Sequence, residues 1–288
     1  MKKRCYGVMI HIAVMALVAG GNAAPSGAQV PDPLYGVTID RIGSLPDTVA
    51  SLGSLQKKAT ARIVFDEKVS AKQYVGPVAE IKKVSYIMGE ILDSFPMHKY
   101  SIDSYIARAH DYLDTLGNDV DIWEIGNEIN GDWLGKTSDV VAKMVGTFDI
   151  IKGAGKTTEL TLYYNQGCAK RPSNEMFTWA QDHIPNRVLT GLDYVLVSYY
   201  EDDCKGLQPD WSAVFQRLSV MFPNSRIGFG ECGTKYKDRK ERYVKRYYGL
   251  HVDAPRYVGG YFWWYYSQDM VPKTKPLWAV MNAAMGGY

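Results

Sequence analysis

From residue 34 onward the chain alternates two hydrophobic rhythms. Short runs rich in Val, Ile, Tyr and Phe recur eight times, at 34–40 (LYGVTID), 60–66 (TARIVFD), 84–91 (VSYIMGEI), 121–128 (DIWEIGNE), 160–166 (LTLYYNQ), 192–200 (LDYVLVSYY), 226–231 (RIGFGE) and 261–266 (YFWWYY). Runs of this length and composition predict β-strands. Between them, apolar residues recur at spacings of three and four, which predicts helices. In SDVVAKMVGTFDIIKGAG the predicted face is Val141, Met144, Val145, Phe148 and Ile151, with Ser138 as N-cap and Gly153 near the exit. In DWSAVFQRLSVMFPN it is Trp211, Val214, Phe215 and Leu218, with Asp210 as cap and Pro223 as stop.

Eight strands, each followed by a helix over about 250 residues, predict an α/β protein of one domain, a (β/α)8 or TIM barrel. An open doubly wound sheet is disfavoured, because no G-x-G-x-x-G follows the first strand and no Walker sequence occurs. A barrel directs attention to the C-terminal strand ends, where its chemistry is done.

Two glutamates four apart, Glu124 and Glu128, lie in the fourth run. On a helix they would share a face. On a strand they stand about 13 Å apart, beyond the roughly 5–9.5 Å of a glycosidase carboxylate pair. Glu128, nearer the strand end, is therefore the functional candidate, and Glu124 a structural carboxylate inside the barrel. A partner from another strand end is Glu231, which closes the seventh run. Each follows a small break, Gly126-Asn127 and Gly230, where the backbone can bend or approach a ligand closely.

IWEIGNE on strand 4 followed by IGFGE on strand 7 resembles the glycoside hydrolases of clan A. The resemblance covers the order of elements, and in motif these strand ends. It implies Glu128 as general acid/base, Glu231 as nucleophile and Asn127 as a hydrogen-bond partner of the sugar 2-hydroxyl. It further implies Arg62 as the cation beside the nucleophile, and a tyrosine donor to that nucleophile from the end of strand 6. Tyr200 is the aligned residue and Tyr199 the alternative, while Ser198 stands where many clan members carry histidine. A tryptophan closing strand 8 is implied as the floor of the sugar site, Trp263 first by spacing and Trp264 second, the other packing outward. Asn165, Trp133, Tyr163 and Tyr164 are further mouth candidates. Apolar sugar faces stack on such rings.

The implied chemistry is a retaining double displacement on a poly- or oligosaccharide, needing no cofactor or metal. A non-catalytic polysaccharide-binding barrel is the alternative. An esterase is harder to assemble, because G-x-S-x-G is absent and His98, His110, His183 and His251 fall away from the catalytic strand ends.

The first residues change the picture of where the protein works. Lys2, Lys3 and Arg4 precede an apolar stretch and then GGNAAPSGAQ, the pattern of a secretory signal peptide cut after Ala23 or Ala28. The apolar stretch is short of the roughly 20 residues of a membrane span. Residues 1–28 are thus expected to be removed, leaving 29–288 as a secreted or periplasmic barrel, a monomer without a membrane anchor. The leader carries three of the 33 basic residues and none of the 31 acidic ones. The remainder is near neutral, so nucleic acid is not an expected partner. Export permits a disulfide; Cys168 and Cys204, just beyond neighbouring strands 5 and 6, are the expected pair, with Cys232 a buried thiol.

Overall fold

The computed structural model describes residues 31–287, and the predicted leader lies outside them. Eight parallel strands close into a barrel in sequence order, β8 pairing back onto β1. They are β1 Leu34–Ile39, β2 Thr60–Val64, β3 Tyr86–Glu90, β4 Ile122–Glu124, β5 Thr158–Tyr163, β6 Tyr194–Tyr199, β7 Arg226–Cys232 and β8 Gly259–Trp263. The helices are α1 Leu45–Gly53, α2 Val75–Lys82, α3 Ile102–Leu116, α4 Thr137–Gly153, α5 Met176–His183, α6 Asn186–Leu189, α7 Trp211–Met221, α8 Lys237–Tyr248, α9 Tyr266–Asp269 and α10 Pro276–Gly286. No helix among the described residues is long and apolar enough to cross a membrane.

The strands read as near-continuous buried runs because both faces are covered. Outward side chains pack under the helices. Inward ones from the lower half, Leu34, Met88, Ile122, Tyr194, Leu196, Val258 and Phe262, fill the barrel floor. Burying a side chain of this kind stabilises by about 1.5–3 kcal/mol. Above this apolar plug the inward positions turn polar, beginning with Arg62, Glu90, Glu124 and Glu159, all buried.

Of the two helices predicted in detail, one differs. α4 begins at Thr137, and the Ser138 hydroxyl donates to Asp139 instead of capping the backbone. Its buried face is Val140, Lys143, Met144, Thr147, Phe148 and Ile151. The face is turned from the predicted one because Lys143 lays its apolar stem inward and donates from Nζ to the Met97 carbonyl at 2.9 Å. α7 follows the prediction: the Asp210 carboxylate accepts from the Ala213 amide at 3.1 Å, and the helix ends at Met221 ahead of Pro223.

β4 departs further, spanning three residues against the predicted 121–128. Its ladder to β5 runs regularly as far as Ile125, whose amide donates to the Glu159 carbonyl at 2.9 Å. Thr161 then donates to the Gly126 carbonyl at 3.1 Å, and the next bond back comes from Ile129, at 3.3 Å. Extra residues are looped out between these bonds, and Glu128 lies among them, beyond the strand proper.

Candidate active site

The seventh strand places Glu231 by breaking its own alternation. Phe229 points outward, stacking on Tyr261 and packing edge-on to Trp211. Strict alternation would send Glu231 outward with it. The β6–β7 register shifts instead, from Val197↔Phe229 to Tyr199↔Cys232, so β7 carries one residue more than its partner. This bulge turns Glu231 into the barrel and Cys232 out of it. Gly230 makes the bulge possible: a Cβ there would lie 3.1 Å from both the Leu196 Cβ and the Thr161 Cγ2.

Arg62, on β2, organises the buried carboxylates. Its Nε and Nη2 donate to the two oxygens of Glu124 at 2.6 and 2.9 Å, and its Nη1 donates to Glu231 Oε2 at 2.7 Å. Nη2 also lies 3.1 Å from Glu90 Oε2. The other Glu231 oxygen accepts from the Tyr200 hydroxyl, which settles the choice left open between the two tyrosines. Tyr199 faces outward and donates to the Leu207 carbonyl.

Glu128 has a different setting. Its backbone is left-handed, φ 49°, a conformation costing a non-glycine residue about 1 kcal/mol or more. Ser198, two residues before Tyr200, donates to Oε1 at 2.5 Å, and Ser94 donates to Oε2 at 3.2 Å. Ser94 in turn accepts from the Trp133 indole at 3.1 Å. The end of β6 therefore touches both glutamates, one through a serine and the other through a tyrosine.

These surroundings separate the two acids electrically. Burial, and then the neighbouring Glu231, push the Glu128 carboxyl up to about 8, with Ser198 and Ser94 pulling back. Burial also raises Glu231, to about 7, opposed by Arg62 and Tyr200. Glu128 is the better proton holder and Glu231 the better anion.

Beside Glu128 opens a cleft of about 450 Å³, lined also by Asp132, Trp133, Tyr163, Asn165, Lys170, Asn174, Tyr200 and Asp203. Trp133 and Tyr163 meet edge to face at 5.4 Å. Two of its walls are tied by the Cys168–Cys204 disulfide, with Cα atoms 5.3 Å apart, and Cys232 is a buried free thiol.

Several expected contacts take other forms. Trp263 is fully buried on the outer side of β8, donating from Nε1 to Asp269 at 3.0 Å. Trp264 is the half-buried residue at the mouth, its ring centroid 5.9 Å from the Arg62 guanidinium carbon. The order of preference is reversed because β8 is also irregular: Tyr35↔Gly260 is followed by Val37↔Trp263, three residues against two. Gly260, at φ 108°, permits this; a Cβ there would stand 1.9 Å from the Phe229 carbonyl oxygen. Tyr164 packs outward against Tyr199 and Trp211. Asn165 borders the cleft, yet its amide is spent on structure, donating to the Asn174 carbonyl at 2.9 Å and accepting from the Met176 amide at 3.0 Å. Asn127 donates from Nδ2 to Glu90 Oε1 at 3.1 Å.

Glu90, Glu159 and Ser94 escaped the sequence reading. Glu90 ends β3 and obeyed the same strand-end rule that singled out Glu231. Glu159 was hidden because β5 starts two residues before its predicted boundary. Burial raises both carboxyls well above the ordinary range.

No protein-family model and no curated protein matches the chain. Solved structures do. An apo β-glucosidase structure superposes with TM-score 0.58 at 15% identity, covering 84% of this chain and 87% of that one. Saccharomyces cerevisiae Gas2p, in complex with laminaritriose and laminaritetraose, gives 0.55 at 14%, covering 91% of this chain and 65% of that one. A GH18 chitinase from Pseudoalteromonas aurantia gives 0.54 at 10%, covering 86% and 98%. At these identities the likeness is one of fold: this chain shares its barrel with glycosidases.

Proposed function

We propose that this protein is a retaining glycoside hydrolase of clan A type that cleaves O-glycosidic bonds in a poly- or oligosaccharide. Glu231 attacks the anomeric carbon as the bond to the leaving oxygen breaks, and Glu128 gives that oxygen its proton. Glu128, now a carboxylate, takes a proton from water; the water oxygen attacks the same carbon and releases Glu231. The observation that carries this reading is the unlike setting of two buried glutamates, one paired with Arg62 and a tyrosine, the other held by two serines. The glycosidase structures sharing the fold and the open cleft beside Glu128 support it. The predicted leader and the disulfide support secretion or periplasmic export.

A screen over plant and bacterial polysaccharides and nitrophenyl glycosides, with products sized and their anomeric form followed by proton NMR, tests the reading. The expected result is hydrolysis with retained configuration, reduced to background in Glu231→Ala and by roughly 10²–10⁴-fold in Glu128→Ala. Inverted product, or an undiminished rate in Glu231→Ala, overturns the assignment. Binding of a glycan without any product favours the non-catalytic alternative.

A further inference from the structure

Ser94 and Trp133 lie outside the double displacement, yet one line of hydrogen bonds joins them to Glu128. Trp133 Nε1 donates to the buried Ser94 Oγ at 3.1 Å, and Ser94 Oγ donates to Glu128 Oε2 at 3.2 Å. An indole N–H can only donate, so the direction of the line is fixed. The Ser94 oxygen receives the indole proton, and its own single proton turns to Glu128. Both ends are anchored. Asn130 accepts from the Tyr163 amide at 2.7 Å and donates to the Tyr163 carbonyl at 2.8 Å, pinning the loop that carries Trp133 to β5. On the loop after β3, the Met97 amide donates to the Ser94 carbonyl at 3.2 Å, and the Met97 carbonyl accepts from Lys143. The Trp133 ring walls the cleft while its N–H is spent on Ser94.

We propose that Ser94 is a positioning residue which, polarised by the Trp133 indole, helps Glu128 give up its proton and so equips the site for poorly acidic leaving groups such as sugar alcohols. This rests on the glycosidase reading above. In that step the Glu128 O–H bond breaks and its electron pair stays on the carboxylate. The proton joins the leaving oxygen, which takes the electron pair of the glycosidic bond while Glu231 forms the new bond to carbon. A hydrogen bond to an ionised acceptor is stronger than one to a neutral acceptor, and donation from Trp133 makes the Ser94 hydroxyl a better donor. The Ser94 bond therefore tightens as the proton leaves, a stabilisation gained in the transition state and not before it. Leaving groups that depart only when protonated draw on it most.

The test measures kcat/KM, at each variant's optimum pH, for a series of aryl and alkyl glycosides of one sugar that the wild-type protein cleaves. This constant reports the acid-assisted step and not the later release by water. In Ser94→Ala the loss should grow with the basicity of the leaving group, from about threefold or less on a dinitrophenyl glycoside to about thirtyfold or more on an alkyl glycoside. Trp133→Phe, which keeps a ring and removes the N–H, should show the same trend with a shallower slope. Ser94→Ala combined with Trp133→Phe should show no steeper a trend than Ser94→Ala alone, because the indole acts through the hydroxyl. A loss in Ser94→Ala that is equal across the series overturns the proposal, since the serine then only ties its loop or shapes the cleft. A loss in Trp133→Phe that ignores the leaving group overturns the part given to the indole.

A second readout needs no turnover. The indole N–H resonance of Trp133, assigned by its loss in Trp133→Phe, should shift when Glu128→Gln is introduced into the wild-type protein. The same substitution in a Ser94→Ala background should leave that resonance where it was. A resonance that ignores Glu128→Gln, or that follows it equally without Ser94, overturns the proposal. Should the wild type cleave no glycoside at all, the glycosidase reading falls, and this measurement still decides whether Ser94 links Trp133 to Glu128.

Discussion

Two residues on one strand end, Ser198 and Tyr200, tune the two acids in a way that kinetics can read. Tyr200 donates to Glu231 and Ser198 to Glu128, and each bond lowers the pKa of the carboxyl that receives it. The proposed mechanism requires Glu231 ionised and Glu128 protonated. The rate should therefore trace a bell, its acid limb set near 7 and its alkaline limb near 8, values that belong to the coupled pair. Ser198→Ala removes a bond that favours the ionised Glu128, so the alkaline limb should move to higher pH. Tyr200→Phe should move the acid limb up and reduce kcat. Recording kcat/KM from about pH 5 to 10 checks both, and a limb moving down in either variant contradicts the assignment.

The bulge in β7 belongs to the scale of the element. Gly230 is where the extra residue turns inward against Leu196 and Thr161. Gly230→Ala should destabilise by about 1–3 kcal/mol through overpacking. By shifting the adjacent carboxyl it should lower kcat by at least about tenfold, while far-UV circular dichroism stays that of the wild type. Thermal melts and steady-state kinetics on one preparation measure both effects.

The same element marks the boundary of what the sequence discloses. The eight-fold alternation was legible because barrel strands are buried on both faces and helices on one, so the two rhythms separate cleanly. Glu128, Glu231 and Tyr200 could be singled out because they fall at or near strand ends, and Arg62 because it matches a known pattern; the structure brings Arg62 and Tyr200 onto Glu231. Bulges were not legible, since one extra residue leaves no trace in a hydrophobic profile. That is why Trp263 was preferred to Trp264, and why the inward turn of Glu231 could not be read from alternation. Asn165 marks another limit: a mouth asparagine that serves a ligand and one that ties a loop look identical in sequence.

For the molecule as a whole, the crowded barrel interior sets how stability responds to pH. Glu90, Glu128, Glu159 and Glu231 all bind their protons more tightly folded than in an unfolded chain. Their contribution to stability is complete below the ordinary carboxyl value of 4.5 and is lost as pH rises through about 7 for Glu231 and about 8 for Glu128. The melting temperature should therefore fall from about pH 5 to 8.5. Glu159, one of whose oxygens has no hydrogen-bond partner by geometry among the described residues, is the simplest place to relieve this. Glu159→Gln should raise Tm at about pH 8.5 and leave it nearly unchanged at pH 5. An equal gain at both pH values would show that its charge does not contribute.

From residue 31 onward, Cys168 and Cys204 are bonded to each other and Cys232 keeps its thiol. That sulfur is fully buried directly behind Glu231, donating to the Tyr261 carbonyl at 3.3 Å. An alkylating reagent can reach it only when β7 separates from its neighbours. The rate at which the Cys232 peptide gains a label, followed by mass, is thus a direct clock for opening of the strand that carries Glu231. It needs no engineered probe, and a sugar that fills the cleft and steadies β7 will slow that clock in proportion to its occupancy.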